Sequence, residues 1–286
     1  MRFGVSGDLI PSDMDEITPA LTERVRALGF SGVFSRFRAN DPHTTTREQC
    51  ARARAVLEDA GLAMYQCTGY WQCLIHPDEA QRREAVRTLQ AALRLASWLG
   101  ARGIDTGPGS MSPRGPWFPH RDNWVPWARE QLVKSLKECA PVAEERGVLL
   151  SLEGHQLVTL DTAETMLAVL DEVDSPMVKC DFDPVNWITL RTVFDTGPAI
   201  EAMVATLGPQ IVSAHAKDVA IQDRLVVHID NIAAGTGILD YPTFLRLIEG
   251  LDPSYPVIVE AAAVEELPAV SDFLHRTARE CGITVY

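Results

Sequence analysis

Short apolar runs alternate with longer stretches of helical periodicity from one end of this chain to the other. The runs read as strands near Phe3–Ser6, Gly32–Phe34, Ala63–Cys67, Gly103–Thr106, Val148–Glu153, Val178–Asp183, Ile211–Lys217 and Val257–Glu260. Their C-terminal ends, at positions 6, 35, 67, 106, 153, 183, 217 and 260, are spaced by about one βα unit each. Parallel strands need a crossover connection of a dozen or more residues, and the helical stretches supply it. Eight such units give a parallel sheet that closes on itself. The expected class is therefore α/β, a single (β/α)₈ TIM barrel, with one domain spanning residues 1–286. An open doubly wound sheet would show a glycine-rich phosphate loop after a strand. Here Gly107-Pro108-Gly109 runs instead into Ser110, Met111 and Ser112.

The helices carry start and stop signals. Thr18-Pro19 opens the first, which stops at Gly29. The helix over about 78–99 places Val86, Leu89, Leu93 and Ala96 on one stripe and ends at Gly100. The next runs over about 124–146 and ends at Gly147. Asp161 and Glu164 have capping-box spacing at the start of the fifth, with Asp161 in the cap role. Later helices are expected near 191–206, 241–250 and 264–280.

Composition narrows the partners. Lys and Arg number 26 against 39 Asp and Glu, a net charge of −13 that opposes nucleic acid and anionic membrane surfaces. No apolar run approaches the roughly 20 residues of a membrane span, and the polar start MRFGVSGD lacks a signal-peptide core. The six cysteines form no C-x-x-C pair and read as reduced thiols of a cytoplasmic protein.

In the second half, an apolar strand repeatedly ends in an ionisable residue. VLLSLE ends at Glu153, MVKCDFD at Asp183 and PVIVE at Glu260, while IVSAHAKD carries His215. Alternate residues of a barrel strand point inward, and catalytic groups gather at the C-terminal rim. By parity His155 accompanies Glu153, Asp181 accompanies Asp183, and Lys217 accompanies His215. Three carboxylates brought together repel unless a cation offsets them. With one imidazole they make an O₃N donor set that suits Mn²⁺ first, with Mg²⁺, Co²⁺ or Zn²⁺ as alternatives. Asp181 reads equally as a ligand or as an inner carboxylate paired with Lys179. His43 and His76 read as exposed loop residues. Trp71, Trp117, Trp124 and Trp127 lie in or beside loops, where they would wall a sugar pocket, cover the barrel mouth or meet another subunit.

The runs LEGH (152–155), DFDPVN (181–186), HAKD (215–218), GTGILDY (235–241) and VIVE (257–260) resemble the xylose-isomerase-like barrel superfamily. They are closest to its sugar phosphate isomerase/epimerase branch, and PHRDNW (119–124) is similar to that branch too. The resemblance implies a divalent metal held by Glu153, Asp183, His215 and Glu260, with Glu153 and Glu260 also serving as acid and base. His155, Asn186, Lys217, His120 and Trp117 are then the expected substrate contacts. The chain departs from ketose epimerases of that branch at three places: Asn186 stands where many carry His, Ile221 where they carry Arg, and Thr159 where they carry Glu.

The function expected is a metal-dependent isomerase or epimerase acting through an enediolate on a small sugar, keto-sugar or polyol derivative. A dehydratase of inosose or dehydroshikimate type on the same site is the first alternative, and a sugar-binding barrel without turnover the second. Neither nucleic acid nor membrane is an expected partner. Homo-oligomerisation is left open.

Overall fold

In the computed structural model, which describes residues 1–225 and 228–286, all eight expected barrel strands are present. They are β1 (Arg2–Val5), β2 (Gly32–Arg36), β3 (Ala63–Thr68), β4 (Gly103–Thr106), β5 (Leu149–Glu153), β6 (Val178–Phe182), β7 (Ile211–Ala216) and β10 (Pro256–Val259). They close in the order β1-β10-β7-β6-β5-β4-β3-β2, every neighbouring pair parallel. Around them lie α1 (Pro19–Ala27), α2 (Arg47–Asp59), α3 (Glu79–Leu99), α4 (Pro126–Arg146), α5 (Ala163–Val173), α6 (Thr196–Leu207), α7 (Tyr241–Leu251) and α8 (Leu267–Glu280). The molecule is a single TIM barrel.

Local chemistry sets the ends of these elements. Thr18 caps α1 by accepting the Leu21 N–H, with Pro19 in the first turn. Asp78 caps α3 by accepting the Ala80 and Gln81 N–H groups, and Gly100 ends that helix in the left-handed conformation at φ 69°. The stripe of Val86, Leu89, Leu93 and Ala96 is buried, as its spacing predicts. On the same helix Arg82 is also fully buried, its guanidinium held by Glu79, Ser135 and Glu138 at the α3–α4 contact.

Three sequence expectations need correction, and one pair of strands was not foreseen. The cap of α5 is Thr162, whose hydroxyl accepts the Thr165 N–H at 3.1 Å; Asp161 instead accepts the Thr165 hydroxyl. The helix expected from 191 starts at Thr196, because the chain after β6 first makes turns through Thr189–Asp195. The last helix starts at Leu267 rather than 264. The polar stretch after β7 is not a plain loop: β8 (Asp218–Gln222) pairs antiparallel with β9 (His228–Ile232) outside the barrel. The hairpin's strands are five residues each, but they are partly exposed and half of their residues are polar, so they lack the apolar run that marks the barrel strands.

Asp218 ties this hairpin to the barrel. Its buried carboxylate accepts the backbone N–H groups of Val219, Gly235, Gly237 and Leu239. A side chain at Gly237 would bring a Cβ within 2.4 Å of the Asp218 Oδ1, so glycine is required for this close approach. The GTGIL run is thereby fastened to the strand end that carries His215 and Lys217.

Candidate metal centre and active site

Glu153 is the last residue of β5, Asp183 directly follows β6, His215 is the fifth residue of β7, and Glu260 directly follows β10. Inward-facing parity at the rim brings all four together. One ligand atom from each lies within 4.8 Å of the others, and all four residues are buried. Strand neighbours explain the convergence: Ile258 pairs with His215, and Glu153 pairs with Asp181.

Lys217 occupies the middle of this group. Its ammonium, on a residue only 7% exposed, lies 2.6 Å from Asp183 Oδ2, 2.9 Å from Glu260 Oε2 and 3.3 Å from Glu153 Oε1. The Tyr241 hydroxyl donates to the Lys217 carbonyl and fixes the backbone there. One cation among three carboxylates offsets much of their repulsion.

The charges shift one another strongly. Burial by itself would raise each carboxyl. In Glu153 the Lys217 ammonium and the His215 ring outweigh burial and hold the group well below the usual carboxylate range. In Glu260 the same two groups and Arg36 outweigh burial and bring the pKa to about 2. In Asp183 burial wins over Lys217, and the pKa rises to about 6. Burial opposes protonation of His215, but Asp181 and Glu260 outweigh it and raise the ring well above its ordinary value.

The donor set fits a divalent ion. Nδ1 of His215 is buried without a hydrogen-bond partner, 3.4 Å from Glu153 Oε1 and 3.6 Å from Glu260 Oε2. On the far side of the ring, Nε2 lies 3.2 Å from Asp181 Oδ2. A carboxylate behind Nε2 favours the tautomer whose Nδ1 lone pair faces the other carboxylates, as a metal-binding histidine requires. Phe34 stacks on the ring with centroids 5.8 Å apart and holds its plane.

Asp181 is thus an inner carboxylate, but Lys179 is not its partner. Gln66 Nε2 donates to it at 2.5 Å and the Ser213 hydroxyl at 2.7 Å. Lys179 instead reaches Gln210 at the opposite end of β6, because 179 lies one inward step farther from the rim.

The expected substrate contacts divide. The Asn186 side chain donates to Glu153 Oε1 at 2.8 Å. His155 does not join the carboxylates; its Nδ1 accepts the Leu157 N–H at 3.1 Å, and burial lowers its pKa, which keeps the ring neutral. With Nδ1 accepting, Nε2 carries the hydrogen. Both residues line a cavity of about 440 Å³ that also meets Thr189, Leu190, His228 and Asn231. His120 caps the short 3₁₀ turn Arg121–Trp124 by accepting the Asp122 N–H, so the structure gives it a local structural contact. Trp117 packs edge-on against Trp71, centroids 6.2 Å apart, and its ring closes over Gly107, where any Cβ would come within 2.4 Å of it.

Two residues absent from the sequence reading also stand at the site. Arg36, last in β2, donates to Glu260 Oε1 at 2.5 Å. Asp105, on β4, is buried; the Trp71 indole donates to its Oδ2 at 3.3 Å, while Oδ1 has no partner. Burial, with Glu153 and Asp181 adding to it, raises the Asp105 pKa well above the ordinary value. Parity with Phe34 was the available signal for Arg36, and parity with Gly103 for Asp105.

The family model described as "Xylose isomerase-like TIM barrel" matches residues 22–277 of the chain. No curated protein is similar enough to count as a relative. Among solved structures, a D-psicose 3-epimerase with D-tagatose from Clostridium cellulolyticum H10 is 18% identical, covers 99% of this chain and 100% of its own, and has a TM-score of 0.76. A xylose isomerase-like TIM barrel protein from Mycobacterium smegmatis in complex with magnesium is 18% identical, with 98% and 96% covered and a TM-score of 0.70. A probable 3-DHS dehydratase involved in petrobactin synthesis from Bacillus anthracis is 17% identical, with 96% and 99% covered and a TM-score of 0.70. At these identities the likeness is one of fold.

Proposed function

Because the chain belongs to the xylose isomerase-like TIM barrel family, we propose that it is a divalent-metal-dependent isomerase or epimerase of a small sugar, keto-sugar or polyol derivative, working in the cytoplasm. Glu153, Asp183, His215 and Glu260 would hold the ion, with Mn²⁺ the first choice. The observation that carries the reading is the convergence of two glutamates from β5 and β10, with β7 and β6 between them, on one buried group of four ligand atoms.

When bound, a divalent ion polarises a substrate carbonyl and its neighbouring hydroxyl and so acidifies the carbon-bound proton between them. Glu153 and Glu260 carry the proton chemistry. Arg36 helps to hold Glu260 ionised and fixes it on one side, and the Asn186 amide fixes Glu153 on the other. A carboxylate kept ionised at neutral pH is ready to accept the carbon-bound proton, and once protonated it can return that proton; return from the other direction requires the second glutamate first to take a proton from solvent. The cavity lined by His155 and Asn186 takes the rest of the substrate; the His155 Nε2–H and the Asn186 amide offer donors and an acceptor to its hydroxyls.

Metal-loaded protein incubated in D₂O with a panel of keto-sugars is the test. A substrate should take up deuterium at the carbon beside the carbonyl with its mass otherwise unchanged. Glu153→Gln and Glu260→Gln should each lose turnover by about 10²–10⁴-fold. Near-normal turnover in Glu260→Gln, with metal bound, contradicts the two-glutamate chemistry. Loss of water from the product would move the reaction to the dehydratase class.

A further inference from the structure

A second cavity, of about 270 Å³, opens between the loops after β1 and β2, and among its lining residues are Asp8, Pro11, Ser12, Arg36 and Arg38. It belongs to the same rim as the carboxylates, because Arg36 reaches from it to Glu260. Two guanidinium groups border one small space. Both lie against the same indole: the Arg36 carbon is 5.7 Å and the Arg38 carbon 5.4 Å from the Trp71 ring centroid. Such contacts hold an arginine in place without neutralising it.

Both guanidinium groups keep donors free, although Arg36 is ion-paired. Arg36 gives one nitrogen to Glu260, while its buried Nε has no partner. Arg38 pairs with no carboxylate among the described residues. In a chain of net charge −13, two arginines beside one cavity run against the overall balance, and like charges held close gain when an anion joins them. Asp8 is the one acidic residue in the lining; it is exposed.

We propose that this cavity is an oxyanion subsite, and that the substrate is an acidic sugar whose terminal carboxylate or phosphate is held by Arg36 and Arg38, with the Ser12 hydroxyl as a further donor. Planar guanidinium groups match the two oxygens of either anion. The assignment rests on the proposed function, since Arg36 touches the subsite and the candidate acid/base Glu260 at once.

Inorganic phosphate titrated into metal-free protein, followed by ³¹P NMR, tests the subsite alone. We expect one saturable site, weakened about tenfold or more in Arg38→Ala and in Arg36→Gln, and tightened in Asp8→Asn. Equal phosphate affinity in the parent protein and Arg38→Ala overturns the proposal. A second arm compares fructose, fructose 6-phosphate and glucuronate on Mn²⁺-loaded protein by saturation-transfer NMR. Preference for the phosphate or for the carboxylate, lost in Arg38→Ala with Mn²⁺ content unchanged, supports the subsite and identifies its anion. Equal binding of all three sugars overturns it. If phosphate binding depends on Arg38 yet no keto-sugar in the panel exchanges its carbon-bound proton, the isomerase reading fails and the anion subsite stands.

Discussion

At the scale of single residues, the centre is a balance of charge in which Lys217 is the pivotal side chain. Its ammonium stands where three carboxylates converge, so a divalent ion held by the proposed ligands would compete with Lys217 for one place. Lys217→Met should therefore bind Mn²⁺ at least tenfold more tightly, while its metal-free form melts at a lower temperature because three buried carboxylates have lost their cation. Calorimetric titration and a thermal melt of the same sample read both effects; unchanged affinity would mean that the ammonium leaves the site at no cost. The pH dependence has a definite sign. The metal-free His215 ring binds its proton more firmly than usual, and Asp183 titrates near pH 6. Only the unprotonated forms ligate, so in the proposed site metal uptake should release protons, and affinity should rise with pH until the metal-free His215 has lost its proton. Titration at pH 7 in buffers of different ionisation enthalpy should show proton release; an absence of release would contradict the charge state assigned to His215. The parity rule made Glu153, Asp183, His215 and Glu260 legible because each ends an apolar strand. It could not reveal that Asp181 answers to Gln66 and Ser213, since those partners come from β3 and β7, far away in sequence.

At the scale of elements, capping and periodicity located most helices and strands to within a residue or two. The exceptions lie where tertiary contacts decide. Thr162, not Asp161, caps α5, since both residue types make good caps and only the path of the incoming chain selects between them. The β8–β9 hairpin was invisible because half of its strand residues are polar, and Asp218 rather than hydrophobic patterning holds the adjoining loop. That gives Asp218 a structural value beyond its size. Asp218→Ala would leave four backbone N–H groups without their acceptor, three of them in the loop 235–239 or beside it. We expect a loss of about 2–4 kcal/mol in denaturant unfolding. A change below about 0.5 kcal/mol would show that water replaces the carboxylate freely.

At the scale of the whole molecule, the alternation of strand and helix was enough to give the closed barrel, because eight parallel strands with a helix after each have few other ways to bury both faces. Closure then sets function. It turns four residues spread over more than a hundred positions of sequence into one buried group, and places two cavities against it, one beside Asn186 and one beside Arg36. What the sequence left obscure was the contribution of the first hundred residues. Arg36 is a single residue at a strand end with no repeated pattern around it, and only the closed ring brings β10 next to β1 and so Glu260 within reach of β2. No helix of the described residues is long and apolar enough to cross a membrane. The claim on which the rest depends is that Glu153, Asp183, His215 and Glu260 form one divalent-metal centre. Anomalous diffraction from crystals soaked in Mn²⁺ tests it most directly. The account predicts one strong manganese peak about 2.0–2.3 Å from a carboxylate oxygen of each acid and from His215 Nδ1, with the Lys217 ammonium moved out of the group. A saturating soak that leaves Lys217 among the carboxylates, with no manganese peak beside them, would contradict it.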